Sequence, residues 1–219
     1  MKKIYAINAS PRKDKNTALL LDQALEGAKA CDPNGVVIER INLYDLNFTG
    51  CRSCFACKRI GGKSYGTCAW KDDLSNVLEK ILESDGIIIG SPIYYRNITG
   101  ELHCFYERLF FPYTVYSKHA SGIVRKQIPT ACIYTMNVTK NEFERDEYNL
   151  YLELWERFLE RFYGKPEVMH AFNTYQFDDY SKYVSDSFDE NDKATYRKQH
   201  FGIDLENAYQ IGQNMIKKN

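Results

Sequence analysis

Short runs of apolar residues alternate along this chain with stretches in which apolar side chains recur every three or four positions. Ile4 to Asn8 is the first run, and Leu21, Ala24, Leu25 and Ala28 follow it at helical spacing. Asp32-Pro33-Asn34-Gly35 then reads as a turn into a β-branched strand from Val36 to Leu43. Leu74, Val77, Leu78, Ile81 and Leu82 mark one face of a second helix, with Asp72 and Asp73 placed to cap it. Gly86 to Gly90 shows no alternation, as a central parallel strand buried on both faces requires. A third helix carries Leu102, Phe105, Tyr106, Leu109 and Phe110, opened by Thr99-Gly100 and stopped by Pro112. Thr130 to Thr135 is the fourth strand. The capping box Thr139-x-x-Glu142 opens one helix that presents Tyr151, Trp155, Phe158, Leu159 and Phe162 before Gly164 and Pro166 end it. Glu167 to Phe172 is the fifth strand, and Leu205, Ala208, Ile211, Met215 and Ile216 form the last amphipathic helix.

Five βα units in succession predict an α/β fold: a three-layer sandwich with a five-stranded parallel sheet, order 2-1-3-4-5, and helices on both faces. No linker or repeat interrupts the series, so a single domain over 1–219 is expected. Ligands of such sheets bind beyond the carboxyl ends of the strands, at the switch point beside the first and third.

Composition narrows the function. The 219 residues carry 29 basic and 29 acidic side chains, which argues against a nucleic-acid partner held by bulk charge. The 17 Tyr and 12 Phe suit the walls around a flat ligand or a subunit interface. No apolar run reaches the roughly 18 to 20 residues of a membrane helix. The amino terminus, Met1-Lys2-Lys3, leads into a run broken by Asn8, Ser10 and Arg12, so it reads as a strand and not a signal peptide. A cytoplasmic, reducing location is therefore expected, where an odd count of 7 cysteines means thiols or metal ligands.

Three loops at strand ends hold the candidate chemistry: Ala9 to Thr17, Ser91 to Gly100 and Met136 to Thr139. In the first, hydroxyls, amides and free backbone N–H groups at a helix start make an anion site, to which Arg12 adds a forked cation. The simpler alternative is an ordinary βα turn with Thr17 as N-cap. No G-x-G-x-x-G occurs, and Gly62-Lys63-Ser64 has Cys57 where a Walker A loop needs glycine. The site therefore suits one phosphate. In the second loop, rigid Pro92, flat Tyr94 and Tyr95, and polar Arg96 and Asn97 suit a planar heteroaromatic ring. The four histidines share no ligand spacing, and the acidic stretches Asp178-Asp179 and Asp186 to Asp192 read as solvated connections.

Asn8-Ala9-Ser10-Pro11-Arg12 with Asn16-Thr17, then Ser91-Pro92-Ile93-Tyr94 with Thr99-Gly100-Glu101-Leu102 and Phe105-x-x-Arg108, resembles the NADPH-dependent FMN reductase-like family of the flavodoxin-like superfamily. The likeness extends to about Asn137. It implies FMN with its phosphate on Ser10, Arg12, Asn16 and Thr17. The isoalloxazine would lie against Pro92, Ile93, Tyr94, Tyr95, Arg96 and Asn97, with its pyrimidine edge near Met136 and Asn137. It also implies a homodimer with flavin sites close to the subunit interface.

Cys51-x2-Cys54-x2-Cys57-x10-Cys68 lets three thiolates converge on one iron–sulfur cluster while Cys68 returns as the fourth ligand. It looks like the motif of the iron–sulfur flavoproteins, a related branch, except that Gly61 to Gly66 lengthens the last gap. Reduced structural thiols, a [4Fe–4S] site and a tetrahedral zinc site are the three readings, in that order. Cys31, Cys104 and Cys132 read as packing.

The expected activity is that of an FMN-dependent oxidoreductase. It takes a hydride from NAD(P)H and reduces flavin, a quinone or another small-molecule electron acceptor. No catalytic side chain is needed, because the cofactor carries the reaction. The alternatives are an iron–sulfur flavoprotein that carries electrons between protein partners, and a flavin-binding sensor.

Overall fold

The computed structural model describes residues 1–119, 122–123 and 126–217. Its strands are β1 (Lys2–Asn8), β2 (Val36–Asn42), β3 (Gly86–Pro92), β4 (Thr130–Thr135) and β5 (Glu167–Ala171), all parallel in the order β2-β1-β3-β4-β5. The helices are α1 (Asn16–Cys31), α2 (Leu74–Leu82), α3 (Gly100–Phe110), α4 (Lys140–Arg145), α5 (Asn149–Tyr163) and α6 (Glu190–Lys217).

The period-2 alternation of the strands sorts the core into two layers. Ile4 and Ala6 of β1, Ile88 of β3, and Ala131 and Ile133 of β4 point to one face, where α1 and α6 cover them. Tyr5 and Ile7, Ile87 and Ile89, and Cys132 and Tyr134 point to the other, under α2, α3 and α5. Both faces of β3 are thus buried, which is why its sequence shows no polar alternation. On the first face α1 and α6 approach backbone to backbone. A Cβ on Gly212 would lie 1.7 Å from the Ala24 carbonyl oxygen, and one on Gly27 would lie 2.0 Å from that of Tyr209.

Three expectations are corrected. The capping box at Thr139 is present, with Thr139 Oγ1 accepting from Glu142 N, but it opens only the short α4. Glu147 takes a left-handed φ of 53°, which breaks the path and restarts the helix as α5 at Asn149. Asp73 makes no side-chain cap to α2; Asp72 does that work, accepting from Leu74 N at 3.1 Å. The acidic stretch near Asp189 is no mere connection. Asp189 Oδ1 accepts from Asn191 N and Asp192 N, and Glu190 and Asp192 sit in the first turn, so α6 begins there and not near Leu205. Its first half is mostly polar and solvent-facing, so apolar periodicity did not reveal it. No helix among the described residues is long and apolar enough to cross a membrane.

Candidate functional site

The carboxyl ends of β1, β3, β4 and β5 open onto one cavity of about 410 Å³. Asn8, wholly buried at the end of β1, accepts from Ser10 N at 3.1 Å and donates to Asn42 Oδ1 at 3.0 Å, and this Asx-type turn launches the first loop. Ser10 Oγ in turn accepts from Arg12 N at 3.1 Å. The loop delivers Ser10, Arg12, Lys15, Asn16 and Thr17 to the cavity. The residue before α1 is Lys15, which makes no side-chain cap, and no acid occupies the first turn. Thr17 lies inside the helix, so the alternative of Thr17 as N-cap falls. The N-terminal end of α1 keeps its backbone donors and positive dipole end toward the cavity side.

The β3 exit supplies Pro92, Ile93, Tyr94 and Tyr95. Thr99 holds this loop against the first: its Oγ1 donates to Ala9 O at 3.0 Å and caps α3, while its N–H donates to Ser91 Oγ at 3.2 Å. Tyr94 and Asn97 pair through two backbone hydrogen bonds around a two-residue turn, with Tyr95 at φ 50° and Arg96 at φ 67°. Two positive φ values make this a turn of the kind usually built from Asn-Gly. Tyr95 stands fully exposed at its tip. Arg96 and Asn97 are turned elsewhere. Arg96 faces Asp146 at 3.7 Å and the Tyr148 ring, and Asn97 Oδ1 accepts from Trp155 Nε1 at 3.1 Å.

Met136 and Asn137 line the cavity beyond β4, together with Thr135, whose hydroxyl meets that of Thr17 at 2.8 Å. A fourth wall, absent from the sequence reading, is Thr174, Tyr175 and Gln176 after β5. It closes on the first loop: Arg12 donates to Gln176 O, Asn16 to Tyr175 O at 3.1 Å, and Lys15 pairs with Asp178 at 2.9 Å. That pairing raises the Lys15 pKa. The strand-end rule that singled out the other three loops also points to this one.

The donor set fits an FMN. A volume of about 410 Å³ is in the range of small-molecule sites. The uncapped α1 start with Arg12 suits a phosphate. Asn137 lines the cavity, and its Oδ1 is buried without a hydrogen-bond partner. Asn137 Nδ2 is already committed to Gln176 Oε1 at 3.0 Å.

The cysteine loop is a separate place. Cys51, Cys54, Cys57 and Cys68 line one small cavity of about 20 Å³, enough for a water. Among the described residues no three His, Cys, Asp or Glu side chains are placed to hold a metal ion. The thiols as they stand leave room for a water and not for a four-iron cluster, and Cys68 Sγ accepts from Arg108 Nε at 2.9 Å. No step is therefore derived through a cluster. Arg108 is 2% exposed, and all its N–H groups are used. Besides Cys68 they meet Asp72 through two bonds, Thr49 O and Trp70 O. Burial pushes the Cys57 thiol pKa up. Of the remaining thiols, Cys132 is buried and Cys31 and Cys104 are half-buried.

Comparison with known proteins places this geometry. The family model described as NADPH-dependent FMN reductase matches residues 2–127. An iron-sulfur flavoprotein of Archaeoglobus fulgidus is 42% identical over 98 residues, 45% of this chain and 44% of that protein. One of Methanocaldococcus jannaschii is 36% identical over 106 residues, 48% of this chain and 51% of that protein. The matched part thus spans about half the length of the curated relatives. Among solved structures, an azoreductase from Bacillus anthracis superposes with a TM-score of 0.69 at 16% identity, covering 98% of this chain and 100% of the other. An NAD(P)H:quinone oxidoreductase from Methanothermobacter marburgensis gives 0.66 at 16%, covering 98% and 96%. These two show a shared flavodoxin-like fold. The family match spans more than half of the sequence and contains the first and second cavity loops, and so the chain belongs to the NADPH-dependent FMN reductase family.

Proposed function

We propose that this protein is an FMN-dependent oxidoreductase that takes a hydride from NAD(P)H and delivers electrons to flavin, a quinone or another small acceptor. One observation carries the reading: a single cavity holds both an uncapped helix start beside Arg12 and the unpartnered acceptor of Asn137. The family membership and the names of the structural neighbours, an azoreductase and a quinone oxidoreductase, support it.

When bound, FMN supplies the hydride acceptor and donor. The chain binds and orients. Ser10, Arg12, Asn16 and Thr17 receive the phosphate at the positive end of α1. Pro92, Ile93 and Tyr94 form an apolar wall that excludes water from one side of the ring, and Asn137 fixes the pyrimidine edge. Arg96 and Asn97 act one layer out, fastening the Tyr94–Tyr95 turn to Asp146 and Trp155. A homodimer is part of the proposal. Leu150, Tyr151 and Leu154 leave an exposed apolar face on α5, the helix whose Trp155 anchors the cavity's β3 loop. A reducing, cytoplasmic setting accords with the 7 free cysteines. The electron-carrier alternative needs a cluster on Cys51, Cys54, Cys57 and Cys68, which share a cavity of about 20 Å³ here.

The test is an absorption spectrum of the freshly purified protein followed by NADPH titration under argon. Bound FMN that bleaches stoichiometrically is the expected result. Apoprotein that takes up no FMN overturns the reading, and flavin reduced only by a protein donor favours the carrier.

A further inference from the structure

Lys193 is a buried lysine, the fourth residue of α6 and only 3% exposed. Its Nζ donates to Asn137 O at 3.0 Å and to Asn173 Oδ1 at 2.7 Å, and it lies 5.0 Å from the centre of the Phe188 ring. Among the described residues no carboxylate forms an ion pair with it. Asn137 is cavity wall, and Asn173 holds a left-handed φ of 47° just before the wall residues Thr174 to Gln176. Backbone bonds from Asn173 N to Val138 O at 2.8 Å and from Thr174 N to Met136 O at 3.0 Å join the same two loops. The ammonium therefore sits one peptide behind the wall, at the junction of the β4 and β5 exits.

A buried cation that makes no ion pair, with only the Glu142 carboxylate near enough to offset its charge, is costly, and an apolar side chain at this position would pack on Phe188 without that cost. Burial lowers the Lys193 pKa to about 8, which still leaves it charged at neutral pH. What such a charge favours is a negative group arriving on the far side of the wall.

We propose that Lys193 is a positioning residue for the cofactor cavity: it clamps the wall formed by Asn137 and Thr174 and, through its charge, favours the reduced, negatively charged form of the bound flavin over the oxidised one. The proposal rests on FMN occupying this cavity. Its two parts separate experimentally, because the clamp acts on flavin in both oxidation states, whereas the charge acts on one.

The experiment uses the full chain in three variants. Lys193→Met keeps the stem and removes the charge, Lys193→Arg keeps the charge, and Asn173→Gly removes one acceptor while tolerating the positive φ. FMN affinity of the apoprotein, the two-electron midpoint potential of the holoprotein and apoprotein melting are measured. Lys193→Met is expected to weaken oxidised FMN severalfold and reduced FMN about tenfold more. That difference is a midpoint lowered by about 30 mV, since a tenfold change in a two-electron equilibrium is about 30 mV. Lys193→Arg is expected to restore the potential. Asn173→Gly is expected to weaken FMN without moving the potential, and it tests the clamp even where Lys193→Met fails to fold. A Lys193→Met midpoint equal to that of the parent overturns the charge, as does an arginine variant that falls as far as methionine. Parental FMN affinity in Asn173→Gly overturns the clamp. A parent protein that binds no FMN overturns instead the reading of the cavity, and is recognised before any variant is made.

Discussion

The loop after β1 and the loop that carries the cysteines are both irregular, polar and rich in cations, yet they dispose of those groups in opposite ways. Around the cysteines, the polar groups are met from within. Arg108 reaches Cys68, Asp72, Thr49 and Trp70 with every N–H used, Cys51 N donates to Glu107, and Lys58 donates to Phe111 O and Thr114 O. In the first loop, α1 starts without a side-chain cap, Arg12 holds only a main-chain oxygen of the strap across the cavity, and Asn137 opposite has an acceptor with no partner. Saturated groups hold a fold together; unsaturated ones near a cavity are what a ligand completes. Beside the four cysteines, Arg108 satisfies the loop internally.

The largest effect should come from breaking the saturated side. Replacing Arg108 with Met strands the Asp72 carboxylate and two carbonyl groups in a site where the side chains are 1% and 13% exposed. The expected loss of stability is about 3 to 5 kcal/mol, measured by denaturant unfolding of the apoprotein. A loss below about 1 kcal/mol would mean that the loop is held by something other than this knot. Replacing Arg12 with Ala is the converse. Flavin titration should show FMN weakened by about 1.5 to 3 kcal/mol, the worth of a charge-assisted hydrogen bond. Apoprotein stability should move by less than about 0.5 kcal/mol, as for other exposed positions. Equal losses in both measurements would erase the distinction between the two loops.

Much of this was legible in the chain, and for reasons that differ by residue. The five strands followed from apolar runs, because burial on two faces keeps Gly86 to Gly90 apolar, and their order is the commoner one for five βα units. Ser10, Arg12, Asn16 and Thr17 were found together because one short loop holds them all. Arg96 and Asn97 were expected at the ring because they adjoin Tyr95; two positive φ values in succession turn them toward α5 instead. Thr174 to Gln176 and Lys193 were missed because the chain after Asn137 offers no motif, and the polar first half of α6 shows no apolar stripe. Their roles come from tertiary contacts between separate loops, from Lys193 with Asn137 to Arg12 with Gln176, which periodicity cannot register.

A milder test touches the thiols directly. Changing Cys51, Cys54 and Cys57 together to Ser should leave FMN binding and NADPH oxidation intact, since none of the three lines the cofactor cavity. Cys57 is the buried member, so a stability cost of about 1 to 2 kcal/mol is expected from its hydroxyl alone. Loss of nicotinamide-driven flavin reduction with the fold and FMN retained would make the cysteine loop a working part of the enzyme and dissolve the comparison.

The smallest effect is expected at the turn that presents Tyr95. Two consecutive non-glycine residues at positive φ cost of order 1 kcal/mol or more each, and strain of this kind persists where the surroundings impose it. Arg96 at 67° is the position where glycine is preferred in such a turn. Arg96→Gly relieves that strain but gives up a 3.7 Å pairing with Asp146, worth little at an exposed site, and the contact with Tyr148. The net expectation is a gain of about 0.5 kcal/mol in apoprotein stability. FMN affinity decides what the strain is for. If the turn exists to hold Tyr94 and Tyr95 at the cavity mouth, the looser glycine turn should weaken FMN slightly while the protein becomes more stable. If affinity and stability rise together, the strained turn serves the contact with α5 and the tyrosines are wall residues that need no such support.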